Sequence, residues 1–177
     1  MTRHTDSIFI SYHHNDSLRD ALIELLQNSF NHSSFWLNKF EQLTNDSTVR
    51  FHLGIFVEPF LQYILEGKKT VESRFSVNQS APFGKVQSGD ILLLKRSGGP
   101  VIGLCHITHV WSYQLTPVVF EQVQQTFASA LCLEGSDFWH HKKEAQYATL
   151  MAIDEITCFD SVIYIDKRDR RGWVVLD

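Results

Sequence analysis

The spacing of apolar residues changes character near residue 50. Before it, Leu18, Ala21, Leu22, Leu25 and Leu26 recur at helical intervals in "NDSLRDALIELLQNSF". That spacing predicts an amphipathic helix with Asp16 or Ser17 as N-cap. After a turn over residues 31–34, "SSFWLNKFEQL" predicts a second amphipathic helix, which "TNDST" ends. Beyond residue 50 short β-rich runs dominate. "FHLGIFV" reads as a strand, and "PFLQYILEG" as a helix with Pro59 at its N1 position and Gly67 as its stop. "KTVESRF" alternates as a strand does, and "SVNQSAPFGKVQSG" is a loop. "DILLLKR" is a buried strand, "SGGP" a tight turn and "VIGLCHITHVWSY" a long strand. "TPVVFEQVQQTFASAL" and "SDFWHHKKEAQY" predict helices. "ATLMAIDEITCF", "SVIYI" and "GWVVL" predict closing strands. Short strands separated by a few helices predict an α+β fold. The expectation is a small β-barrel of about five to six strands with helical insertions over residues 51–177, preceded by an N-terminal helical extension over residues 1–50.

Composition narrows the function classes. The chain has 177 residues, 44% of them apolar, with 13 Phe and 4 Trp to fill a core. A net charge of −4 argues against a broad surface that tracks many phosphates, while a small local basic site stays open. Three cysteines, Cys105, Cys132 and Cys158, have no CxxC spacing, which suggests reduced thiols and a cytoplasmic location. No apolar run reads as an export signal or a membrane span.

One stretch departs from the alternation. "LEGKKTVESRF", Leu65 to Phe75, places Lys68, Lys69, Glu72 and Arg74 within seven positions, where the pattern goes from helix end through glycine to strand. Strict period-two alternation puts Lys68, Thr70, Glu72 and Arg74 on one face and Lys69 on the other, unless a turn or bulge at the strand start redirects Lys69. Read as a surface feature, the row is a set of exposed cross-strand ion pairs contributing roughly 0–1 kcal/mol each. Read as a site, Arg74 supplies paired donors, Glu72 accepts from an exocyclic amine, and Lys69 meets a carbonyl or a phosphate.

The motif Gly67-x-Lys69-x-x-Glu72-x-Arg74 after a short helix resembles the signature of the ASCH domain, a branch of the PUA-like superfamily. The preceding "LGIFVEPFLQYIL", the "SGD" at Ser88 to Asp90 that opens an apolar strand, and the glycine-containing strand "VIGLCHITHVW" agree with it. The resemblance covers residues 51–177. It implies a PUA-like β-barrel whose motif residues line a cleft, with RNA or modified nucleosides as ligands. Lys69, Glu72 and Arg74 are then ligand-binding residues.

Around this cleft the sequence offers weaker candidates. Lys167, Arg168, Arg170 and Arg171 precede Trp173, and basic residues beside an aromatic can hold a phosphate and stack a base. The plainer reading of Trp173 is packing in the last strand. Lys95 and Arg96 end a strand and are placed to reach the same cleft. Phe138, Trp139 and Tyr147 read as core and cleft-wall packing, with Trp139 the stacking candidate if its helix covers the barrel mouth.

Some ASCH proteins are amidohydrolases that remove the acetyl group of N4-acetylcytidine, using a motif lysine, a threonine three residues later and a glutamate on a later helix. Lys69 matches the lysine, which makes Lys69 and Glu72 the candidate catalytic pair. Glu72, however, stands where that subgroup has its hydroxyl, and Thr70 is out of register. No motif singles out Glu121, Glu134 or Glu144 as the helical glutamate. A carboxylate beside a lysine favours its charged form, so the departure favours binding over hydrolysis.

Two further signals are discounted. "FISYHHND", Phe9 to Asp16, resembles a TIR opening but lacks the alternating β and α units that must follow, so it reads as chance or as an isolated strand. The nine histidines show no ligand-like spacing: His106 and His109 fall on opposite strand faces, and His13-His14 and His140-His141 are adjacent pairs. No metal, no cofactor and no membrane is expected. The third function class is a protein-interaction module through residues 17–43, which an exposed apolar stripe on residues 18–26 would favour.

Overall fold

The structure, a computed structural model, describes residues 8–10, 18–30, 33–45, 48–165 and 170–176. The expected N-cap at Asp16 or Ser17, the His13-His14 pair, and Lys167 and Arg168 lie outside the described residues.

In chain order the elements are β1 (Ile8–Ile10), α1 (Leu18–Ser29), α2 (Ser34–Asn45), β2 (Phe51–Phe56), α3 (Phe60–Leu65) and β3 (Val71–Ser76). They continue with β4 (Ile91–Arg96), β5 (Val101–Gln114), α4 (Pro117–Phe127), α5 (Phe138–His141), β6 (Tyr147–Ile165) and β7 (Trp173–Leu176). The fold is α+β, as expected: one seven-stranded sheet, curled into a half-barrel, with order β1-β6-β5-β4-β2-β7. The remaining strand, β3, pairs antiparallel with the first half of β6, while β1 pairs parallel with the last three residues of that strand. β2 runs parallel to β4 and antiparallel to β7. Among the described residues β3 has no strand on its other side, so the barrel has a seam between β3 and the end of β2.

Several expectations are corrected. Pro59 is the N-cap of α3 rather than its first turn residue. The segment from residue 136 to 146 forms only the single turn α5, because the tryptophan and histidine turn is followed by charged residues with no further apolar stripe to bury, and Tyr147 already opens β6. "ATLMAIDEITCF" and "SVIYI" are one strand, β6, which bends through register shifts against β5 and a positive φ of 48° at Glu155. The segment with the TIR likeness overlaps β1 at Phe9 and Ile10, an isolated strand ahead of the helices, so the N-terminal extension is not wholly helical.

Helices α1 and α2 share a core with the sheet. Leu22, Leu26, Phe30, Trp36, Phe40 and Leu43 pack with Phe51, Leu53, Ile91, Leu93, Leu104 and Ile163. The Trp36 indole donates to Thr157 Oγ1 at 2.9 Å, so the burial of this large ring leaves no polar atom orphaned. Leu22 and Leu26, two of the five residues of the stripe that would have favoured a protein-docking role, face this core and are fully buried. Burial of each such side chain contributes about 1.5–3 kcal/mol.

A second core fills the barrel, where Leu61, Ile64, Leu92, Leu94, Cys105, Ile107, Met151 and Trp173 meet. Gly103 makes this curvature possible: a Cβ there would sit 2.5 Å from the Thr157 carbonyl oxygen on β6. A third cluster packs α4 and α5 against the other face of β3 and β6. Among the described residues no helix is long and apolar enough to cross a membrane.

Candidate nucleoside cleft

The seam in the barrel opens into a cleft of about 460 Å³. Its lining includes Ile55, Phe56 and Val57 from β2 and its exit, Phe60 from α3, Lys69, the β3 residues Glu72 to Phe75, and Leu133, Phe138 and Lys142 from around α5. The charged row of the sequence forms its polar side.

Lys69 escapes the period-two objection because it precedes the strand. Gly67, at φ 69°, ends α3, and the amides of Lys68 and Lys69 both donate to the Tyr63 carbonyl. The amides of Thr70 and Val71 then both donate to Ala130, and regular alternation starts only at Val71. This tight turn brings Lys69 to the side of β3 that carries Glu72 and Arg74.

The three side chains form a row of charge at low exposure. Lys69 is 4% exposed and Glu72 5%. The ammonium of Lys69 donates to Glu72 Oε2 at 2.7 Å and to the Val71 carbonyl at 2.6 Å. Arg74 Nε stands 2.9 Å from Glu72 Oε1, within ion-pair range but not aligned as a hydrogen bond, and that nitrogen is buried without a hydrogen-bond partner. Burial opposes the Glu72 charge, but Lys69 and Arg74 outweigh it, together with hydrogen bonds from Lys69 and the Ser73 amide. The carboxyl is therefore held below the usual carboxylate range. Lys68 is set apart, paired with Glu66 at 2.6 Å on the surface.

Arg74 also closes the seam. Its guanidinium donates to the Gly172 carbonyl and to the Ile55 carbonyl, both at 3.1 Å, and lies 5.1 Å from the ring centres of both Phe56 and Trp173. One side chain thus joins β3 to β2 and to the residue before β7, where backbone pairing does not.

Other candidates fall elsewhere. Trp139, 5% exposed, is buried against Phe75 and Phe120, and its indole donates to the Leu133 carbonyl; the half-buried Phe138 is the cleft wall instead. Trp173 lies beneath Arg74, inside the barrel core, and does not line the cleft. Lys95 turns to the carbonyls of Arg96 and Gly99 in its own turn, and Arg96 pairs with Glu58. None of Glu121, Glu134 and Glu144 lines the cleft, whose one carboxylate among the described residues is Glu72. His106 pairs with Asp154, and His109 packs on Trp111.

Sequence reasoning missed two features. Lys142 stands at the cleft 5.6 Å from the Phe138 ring centre, and a lysine in a run of charge carries no periodic signal. Behind the cleft His52 and Asp90 are fully buried, 2.8 Å apart. Trp173 Nε1 donates to His52 Nδ1 at 3.1 Å, so Nε2 carries the imidazole proton toward Asp90. Asp90 also accepts from the amides of Arg50 and Gln87, which explains the aspartate of the "SGD" turn as a lock on the start of β4. The "GD" spacing was visible; its histidine partner on an apolar strand was not.

No curated protein matches the chain. Among solved structures, the crystal structure of ASCH from Zymomonas mobilis is similar over 61% of this chain and 69% of its own, at 14% identity and a TM-score of 0.47. The ASCH domain from Lactobacillus crispatus JV V101 is similar over 85% and 98%, at 16% identity and a TM-score of 0.39. A protein from Enterococcus faecalis V583 is similar over 71% and 91%, at 12% identity and a TM-score of 0.46. A family model described as the ASCH domain matches residues 55–157, a span that begins at the Ile55 carbonyl holding Arg74 and takes in the whole Lys69–Glu72–Arg74 row, so this chain belongs to the ASCH domain family.

Proposed function

We propose that the cleft binds a base of RNA or of a modified nucleoside. The observation that carries this reading is the composition of its lining. Lys69, Arg74 and Lys142 share the lining with Glu72, its one carboxylate among the described residues, and with the apolar rings of Phe60, Phe75 and Phe138. Aromatic walls suit a planar ring, and fixed donors beside a carboxylate suit the donor and acceptor pattern of its edge. Excess positive charge suits an attached phosphate.

Binding is favoured over amide hydrolysis by the state of Glu72. A carboxylate held below its usual range and engaged by Lys69, Arg74 and the Ser73 amide is a weak general base. A thermal-shift screen of cytidine, N4-acetylcytidine, the other common nucleosides and short single-stranded RNAs tests the reading. A cleft ligand raises the melting temperature by mass action. Phe138→Ala should weaken the ligand so found by about 1–3 kcal/mol, the range for a base stacked on an aromatic ring. No shift with any member of the panel would sink the reading. Turnover of N4-acetylcytidine at about one per second or faster, abolished by Lys69→Ala, would replace it with the hydrolase.

A further inference from the structure

The cleft is not the only cavity at the seam. On the other side of Arg74 lies a second, smaller one of about 200 Å³, lined by Arg74, Phe75, Ser76, Ser80, Ala81, Pro82, Thr149, Gly172 and Trp173. Arg74 and Phe75 belong to both linings. The two spaces therefore share part of their wall.

Their chemistry differs. The large cavity has aromatic and aliphatic walls and a charged row. The small one carries three hydroxyl side chains, Ser76, Ser80 and Thr149, on separate segments: the end of β3, the loop after it, and β6. Thr149 is 1% exposed and faces Arg74 in the β3–β6 register. A hydroxyl beside a cavity both donates and accepts, which suits water or a ligand that does the same. Arg74, which lines this cavity, carries a buried Nε without a hydrogen-bond partner. Exposed Arg170 and Arg171 come immediately before Gly172, which lines this small cavity.

We propose that the small cavity is a sugar subsite: one ligand straddles Arg74, with its planar ring in the large cavity and its hydroxylated ring among Ser76, Ser80 and Thr149. This rests on the nucleoside reading of the large cavity and adds what that reading leaves open, namely which part of the ligand sets affinity. Hydroxyl side chains both donate to and accept from sugar hydroxyls, and they turn freely to suit either. A free base fills one chamber and leaves the second to water. A ribonucleoside fills both, and any phosphate on it comes out on the side of Arg170 and Arg171.

Matched pairs test this by isothermal titration: cytosine with cytidine, N4-acetylcytosine with N4-acetylcytidine, uracil with uridine, adenine with adenosine, guanine with guanosine. For the pair that binds, the nucleoside should bind at least tenfold more tightly than its base. Thr149→Val, nearly equal in shape, should remove severalfold of that advantage. Ser80→Trp, at an exposed loop position, should fill the chamber and remove nearly all of it. Neither variant should change affinity for the free base. Base and nucleoside binding within twofold of one another, or variants that weaken both alike, would overturn the sugar subsite while leaving the base site standing. Absence of binding by every member of the panel would remove the base site and the subsite together.

Discussion

Glu72 shows how one residue serves structure and site at once. Its charge is stabilised in the fold mainly by Lys69 and Arg74 against the cost of burial, so its folded pKa lies below the ordinary value of 4.5. A depressed carboxyl pKa contributes stability that is complete above the unfolded value and lost as pH falls through the folded one. Urea unfolding of the wild type should therefore weaken below about pH 5, and Glu72→Gln should flatten that acid limb while leaving the neutral range less stable. An acid limb that persists in the Gln variant would move the titration elsewhere. Lys69→Met should cost about 3–5 kcal/mol, because it leaves a buried carboxylate with one partner fewer, and the double variant Lys69→Met with Glu72→Gln should recover part of that loss. The charged row was legible at this scale because four charges in seven positions break the strand alternation. Which of Phe138 and Trp139 lines the cleft was not legible, because a tryptophan beside a phenylalanine on one short turn reads the same whichever ring faces it. Only packing against Phe75 and Phe120 decides it.

At the scale of elements, the half-barrel depends on two close approaches. Gly103 allows β5 to cross β6, and Gly103→Ala should destabilise the protein by about 1–3 kcal/mol, since the new methyl group meets backbone rather than a movable side chain. Measuring the midpoint of chemical denaturation settles it; an unchanged midpoint would mean that the strands part easily there. The second approach is the seam that Arg74 bridges. Arg74→Lys keeps the charge but cannot span two carbonyls and two rings, so hydrogen exchange at the Ile55 amide, bonded to Gly172, should speed up markedly. Exchange as slow as in the wild type would show that β2 and the Gly172 segment hold together without it. Strands and most helices were readable from periodicity, and the motif glycine marked the end of α3. The seam was not readable, because which strand edges remain unpaired is a property of topology, and the long β6 looked like two strands where its bend interrupts the alternation.

Over the whole molecule, a net charge of −4 coexists with a cleft lined by three cations and one carboxylate. Any RNA held there should touch few phosphates, giving a slope of log affinity against log salt of roughly −1 to −3. A slope near −8 would require a far larger basic surface. The barrel is completed by contacts remote in sequence: Arg74 reaches Gly172 across 98 positions, and Trp173 reaches His52 across 121. Closing so long a loop costs entropy before its contacts return anything, which places the seam late on the folding route, after the β4–β5–β6 meander has formed. Interactions made after the transition state change the rate of unfolding and leave that of folding alone. A nucleoside seated in the seam should accordingly lower the unfolding arm of a chevron plot without shifting the folding arm. The cleft would then act as a kinetic clasp, lengthening the lifetime of the closed protein for as long as it is occupied. A folding arm raised by the nucleoside would instead place the Arg74 bridge within the folding nucleus.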